Sequence, residues 1–215
     1  MKIMNQLKGE IQGITLELIK CGLAMEFNMP IIQKNEILWE KHTDISRYLK
    51  NYKYPDIYKE INNLKNYNFM LPDGGIFQLM YRIEGNEVAS HRLAYYPSPD
   101  FEMYQNDPSI YEEDEIYGDI LNRSVLPVII RADYNKDDVI SKVHHPYSHI
   151  TLGEYKNCRI PVNKPISPLS FVNFVLEHFY AVPTQMWEYN YTQKAQVKFK
   201  EHIHNRDMER SRFQF

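Results

Sequence analysis

Three of the chain's eight histidines fall within His144-His145-Pro146-Tyr147-Ser148-His149, directly before the short apolar run Ile150-Thr151-Leu152-Gly153. Imidazole titrates near neutrality, at about 6.5, so it can accept a proton, donate one, or ligate a metal under mild conditions. The cluster marks where acid–base or metal chemistry can concentrate without naming the reaction.

His145 and His149 are four residues apart, the interval that sets two zinc ligands on one helical face, but Pro146 and the β-type residues that follow disfavour helix. In an extended chain the same interval spans about 13 Å at roughly 3.3 Å per residue. One ion held about 2 Å from each ligand cannot bridge that distance. The pair can share a metal only if the His-Pro-Tyr-Ser stretch bends, so metal and cofactor are left open.

Strand alternation makes a sharper constellation. Arg131 and Asp133 lie two apart on a stretch reading Val125 to Tyr134, as do His149 and Thr151 on the next. If these strands pair antiparallel, burying Val128, Ile130, Ile150 and Leu152 on one side brings Arg131, Asp133, His149 and Thr151 together on the other. Candidate roles follow from side-chain chemistry: Asp133 orients an imidazole or binds a cation, His149 is a general base, Arg131 holds a phosphate, and His145 is a conditional partner. An ion-pair or hydrogen-bond network on a sheet face is the competing explanation. Ser148 lacks the glycine-flanked turn of a nucleophilic serine, and Cys158 reads as a packed thiol before Arg159-Ile160-Pro161.

The elements that must position these residues follow from periodicity. Leu7, Ile11, Ile14, Leu18, Cys21 and Met25 alternate spacings of four and three, predicting one buried helical face that ends near Gly22 to Pro30. Further helices are expected near 33–49 and 54–66. From Phe77 the period becomes two, and Gly85-Asn86 suits a two-residue hairpin loop. That loop places Arg82 opposite Ala89, Met80 opposite His91 and Leu79 opposite Arg92, with His91 on the more polar face. Ser167-Pro168 opens a final helix, with serine as cap and proline in the first turn, carrying Phe171, Phe174, Val175 and His178 on one face. The expected fold is α+β in one domain. N-terminal helices (1–70) pack on a mainly antiparallel sheet (71–161), followed by a C-terminal helix and basic arm (165–215).

Composition narrows the classes. The 215 residues, 43% hydrophobic and 25% charged, can build a core burying roughly 70% of the unfolded surface. The net charge of −3 hides eight acids and no Lys or Arg in 100–119, against six Lys or Arg and three acids in 190–215. The acidic stretch, bracketed by Pro97, Pro99 and Pro108, reads as an excursion from the sheet. The tail interleaves Lys194, Lys198, Lys200, Arg206, Arg210 and Arg212 with Phe199, His202, His204 and Phe213, a pattern that can grip phosphates and stack bases or form a solvated terminus. Two cysteines exclude a disulfide-built domain and cannot alone make a zinc site. No signal sequence or membrane span is read, so the expected compartment is the cytoplasm.

The segment His145-Pro146-x-x-His149 followed by Thr151-Leu152-Gly153, Cys158-Arg159-Ile160-Pro161, Pro165, Pro168, Phe171, Phe174 and Phe179-Tyr180 resembles a bacterial domain-of-unknown-function family, number 2290. The resemblance extends to the order of elements before it and implies a bacterial intracellular protein without assigning an activity. Arg131-Ala132-Asp133 ahead of His145 to His149 is more loosely similar to small toxin-like domains. Those domains often carry further histidines where this chain has Thr151. The leading expectation is an effector or accessory component of a defence or toxin–antitoxin system, acting on nucleic acid or nucleotides through the Asp133/His149 face as a nuclease or phosphodiesterase. The alternative is a non-enzymatic module binding protein partners through its acidic or basic segment. Neither involves a membrane.

Overall fold

The computed structural model describes residues 2–45, 52–99, 128–137, 145–155, 157–180, 184–185, 196–203, 205–208 and 212–215. The acidic segment 100–119, the stretch 125–127, His144, Lys194, His204 and Arg210 lie outside the described residues.

Helix α1 (Lys2–Lys20) buries Leu7, Ile11, Ile14 and Leu18, as their spacing predicts. Gly22, at φ 77°, redirects the chain after the helix. Cys21 is therefore only half-buried and Met25 is exposed instead of continuing the face. The helix expected over 33–49 is not formed across its first part. Strand β1 (Glu26–Phe27) and most of β2 (Pro30–Gln33) precede this region, and the end of β2 and all of β3 (Glu36–Trp39) take up its start. β2 and β3 form a hairpin around Lys34-Asn35, pairing Ile32 with Ile37 and Gln33 with Glu36. Lys34 takes φ 55°, as two-residue hairpin loops require. Helix α2 (Tyr54–Asn63) matches the expected second stretch, with Pro55 in its first turn.

Strands β4 (Phe69–Met70), β5 (Ile76–Glu84), β6 (Glu87–Tyr96), β7 (Ile130–Asn135), β8 (Ser148–Leu152) and β9 (Ile160–Pro161) complete an antiparallel sheet. Its order is β1-β4-β5-β6-β7-β8-β9, with β3 pairing β5 beyond the short β4 and β2 outside β3. The architecture is α+β, with helices at both ends of the chain. One sheet face packs on α1 and on α3 (Pro168–Phe179), burying Phe77, Leu79, Tyr81, Leu93, Ile130, Ala132 and Ile150 among Phe171, Val172 and Val175. Ser167 caps α3, its hydroxyl accepting the Ser170 N–H at 3.1 Å. His178 points away from this core and is exposed.

Two strand expectations need correction. Val128 precedes β7 and is 41% exposed rather than core. The β5–β6 loop is Gly85-Asn86 as expected, with Glu84 opposite Glu87 and Ile83 opposite Val88, but a bulge follows and Arg82 faces Ser90 instead of Ala89. Every later pair moves by one: Tyr81 faces His91, Met80 faces Arg92, and Leu79 faces Leu93. A one-residue shift exchanges the two sheet faces. His91 thus enters the core and Arg92 leaves it.

The C-terminal segment is packed down. Val197, Phe199 and Phe215 lie against the core, and Val162 bridges in parallel to Phe213. His202 stacks on Tyr147 with ring centroids 4.5 Å apart and hydrogen-bonds Tyr134 Oη at 2.7 Å. Phe199 and His202 therefore serve as internal contacts, while Lys198, Lys200 and Glu201 beside them are exposed. The last helix, α4 (Asn205–Met208), is a single turn. Among the described residues no helix is long and apolar enough to cross a membrane.

Candidate functional site

The sheet face turned away from α1 and α3 carries a polar row across neighbouring strands. Arg92 on β6 is paired with Asp133 on β7, which is paired with His149 on β8, which is paired with Pro161 on β9. Arg131 stands two residues before Asp133, opposite Thr151. The expected gathering of Arg131, Asp133, His149 and Thr151 is found, and Arg92 joins it through the β6 bulge.

Asp133 is held between two guanidinium groups. Arg92 Nε lies 3.5 Å from Oδ1, and Arg131 Nη2 lies 3.4 Å from Oδ2. Both arginines are nearly half exposed while the carboxylate is mostly covered. The Arg131 Nε is a buried donor with no hydrogen-bond acceptor among the described residues. Buried donors are rarely left so. Two forked cations with donor capacity to spare make a natural seat for a phosphate.

His149 is 5% exposed. Its Nδ1 lies 3.2 Å from the Pro146 carbonyl oxygen, which can only accept, so Nδ1 carries the proton and Nε2 the lone pair. The orienting role expected of Asp133 is thus performed by a backbone carbonyl, while the carboxylate serves the arginines. Burial holds the His149 pKa below its ordinary value; the Asp133 charge opposes this, and His145 and Arg159 add to it. The ring stays neutral near pH 7, as a general base requires.

The chain bends at Pro146-Tyr147, and the His145 and His149 rings approach to a centroid distance of 4.9 Å. The condition for these two histidines to act on one group is therefore met. Among the described residues no three His, Cys, Asp or Glu side chains converge in a way that could hold a metal ion.

Neighbouring hydroxyls and the thiol have structural duties. Thr151 Oγ1 donates to the Cys158 carbonyl at 3.0 Å, fastening the β8–β9 connection. Cys158 Sγ accepts the Leu152 N–H at 3.4 Å. Ser148 projects to the opposite face and donates to the Lys164 carbonyl at 3.0 Å. Tyr96, on the polar face beyond Ala94, has its phenol pKa raised by burial, with Arg92 and Arg131 opposing.

Arg92 and Arg159 are the residues that strand alternation alone passes over. The signal for Arg92 was present: Val88 and Leu93, five apart, cannot both face the core of a regular strand. Arg159 sits on the far side of the β8–β9 turn, where its proximity to His149 depends on loop geometry.

No curated protein and no solved structure matches the chain. The family model described as uncharacterized conserved protein (DUF2290) matches residues 23–215, nearly the whole sequence and all of the sheet, and the chain belongs to that family.

Proposed function

We propose that this protein acts on nucleic acid or nucleotides, binding a phosphate at Arg92 and Arg131 and transferring a proton through His149. The observation that carries this reading is the row Arg92–Asp133–His149 on the sheet face turned away from α1 and α3, its two arginines nearly half exposed and the Arg131 Nε without an acceptor among the described residues. Arginine supplies fixed charge and paired donors to phosphate oxygens, and a neutral, oriented imidazole supplies a base. Service as a bacterial intracellular effector or accessory component of a defence or toxin–antitoxin system is the setting in which such an activity would be used.

The test is direct. Purified protein is incubated with RNA, DNA and a nucleotide panel, beside His149→Asn, Arg131→Ala and Arg92→Ala variants whose folding is checked by circular dichroism. Conversion of one substrate, reduced about a hundredfold or more in His149→Asn, is the expected result. Absence of both conversion and binding in the wild-type chain would remove the proposal and leave an ion-pair network on a sheet face.

A further inference from the structure

Breaking a phosphodiester requires a nucleophile as well as a proton acceptor and a seat for the phosphate. The nearby protein candidates have other engagements. Thr151 Oγ1 is spent on the Cys158 carbonyl, Cys158 Sγ on the Leu152 amide, and Ser148 faces the core. What the face offers in abundance is proton transfer, with two imidazoles 4.9 Å apart and one of them, His149, paired across the strands with the Asp133 that holds Arg131.

On the reading that this face handles phosphate esters, we infer that its substrate is RNA and that the attacking group is the substrate's own 2′-hydroxyl, with His149 and His145 as the proton-transfer pair. Nε2 of His149 takes the 2′-hydroxyl proton as that oxygen bonds to phosphorus. The bond from phosphorus to the 5′-oxygen breaks, its electron pair leaves on that oxygen, and His145, whose ring lies beside that of His149, supplies the proton. The products are a 2′,3′-cyclic phosphate and a 5′-hydroxyl end. No water is consumed and nothing is oxidised or reduced. Arg92 and Arg131 carry the charge that grows on the non-bridging oxygens, where preorganised cations act most strongly. The Pro146 carbonyl fixes which nitrogen of His149 is the base.

The 2′-hydroxyl distinguishes this chemistry from every other way of cutting the same backbone. Full-length protein is therefore offered one sequence as RNA, as DNA and as 2′-O-methyl RNA, with products tested for a cyclic phosphate end and binding measured on the uncleavable 2′-O-methyl strand. RNA alone is expected to be cleaved, to cyclic ends. His149→Asn should lose about a hundredfold or more of the rate while still binding, and exposed Arg92→Ala, which cannot disturb the core, should weaken binding itself. Equal cleavage of DNA, linear phosphate ends, or binding without cleavage overturns the 2′-hydroxyl mechanism but leaves phosphate recognition standing. No binding of any strand overturns both.

Discussion

Arg92 and Asp133 face one another across the β6–β7 pair, Arg92 Nε 3.5 Å from the carboxylate, because a single bulge in β6 turns Arg92 out of the core. Ion pairs this exposed contribute about 0–1 kcal/mol to stability. The consequence of the pair lies in the field of the sheet face. Asp133 cancels part of the charge of Arg92 and Arg131 and keeps both guanidinium groups at one spot.

Replacing Asp133 by Asn should separate binding from turnover. Removing one screened negative charge near the phosphate seat is worth about 1 kcal/mol, or roughly fivefold, so 2′-O-methyl RNA should bind up to fivefold tighter at low salt, with the gain fading at high salt. Turnover should fall as the guanidinium groups lose their common anchor. Fluorescence anisotropy beside a cleavage assay reads both. Weaker binding in Asp133→Asn would show that the positioning of the arginines by Asp133 outweighs the charge it cancels.

The half of the site that depends on period two was legible. Ile130, Ala132, Ile150 and Leu152 define one phase, and Arg131, Asp133, His149 and Thr151 must then take the other. What escaped was geometry set by single residues. The bulge after Val88 reverses the phase of Arg92 and His91, and a propensity argument cannot place it unless Val88 and Leu93 are asked to share a face. The β2–β3 hairpin escaped because Ile31, Ile32, Ile37 and Leu38 are apolar on both sides of a turn lacking glycine, a pattern that also fits a helical face. The packing of Phe199 and His202 against the body depends on tertiary contacts with Tyr134 and Tyr147, which no local pattern encodes.

His91 is a structural histidine and its substitution should show this through pH. Its Nε2 accepts the Ile166 N–H at 3.0 Å and its Nδ1 donates to the Ala132 carbonyl at 3.2 Å. Burial pushes its pKa down to about 4, with the Asp133 charge opposing and His149 adding to the shift. Between pH 4 and 6.5 the unfolded chain binds a proton that the folded chain refuses, so this contribution is present above 6.5 and lost as pH falls. It amounts to roughly 3 kcal/mol. In urea titrations, the advantage of wild type over His91→Gln should shrink by about that amount from pH 7.5 to 4.5. A pH-independent difference would contradict the assignment.

Gly75 should tolerate no side chain. An added Cβ would stand 2.7 Å from Tyr180 Oη and 3.0 Å from Tyr95 Cε2. Neither ring can retreat freely: Tyr180 donates to Asp73 Oδ2 at 2.5 Å, Tyr95 donates to Tyr180 at 2.6 Å, and Gly75 N–H itself donates to Asp73 Oδ1 at 2.9 Å. Gly75→Ala should therefore cost about 1–3 kcal/mol, the usual range for overpacking, read as a lowered urea midpoint. Tyr180→Phe should relieve the clash in the double variant, making the two substitutions non-additive. Simple additivity would show that the backbone, rather than the phenol, resists the methyl group.

Glu10 should produce the opposite pH dependence from His91. Its carboxylate is buried on α1, Oε1 accepting the Leu169 N–H at 2.9 Å in the first turn of α3 and Oε2 accepting the Val197 N–H at 2.6 Å. Those donors favour the anion, but burial outweighs them and raises the pKa to about 7 from 4.5. Between pH 4.5 and 7 the folded chain therefore holds a proton that the unfolded chain has released. Stability from this group is full below 4.5 and falls as pH rises through 7, by roughly 3 kcal/mol. Glu10→Gln cannot titrate, so its stability relative to wild type should improve by about that amount between pH 4.5 and 8. The absolute value also reflects an amide NH₂ facing one of the two N–H donors. Because the His91 and Glu10 windows overlap with opposite signs, their contributions nearly cancel between pH 4.5 and 6.5. Glu10→Gln should expose a stability that rises with pH there, and His91→Gln one that falls. If both variants track wild type across that range, the two buried groups do not titrate as their surroundings require.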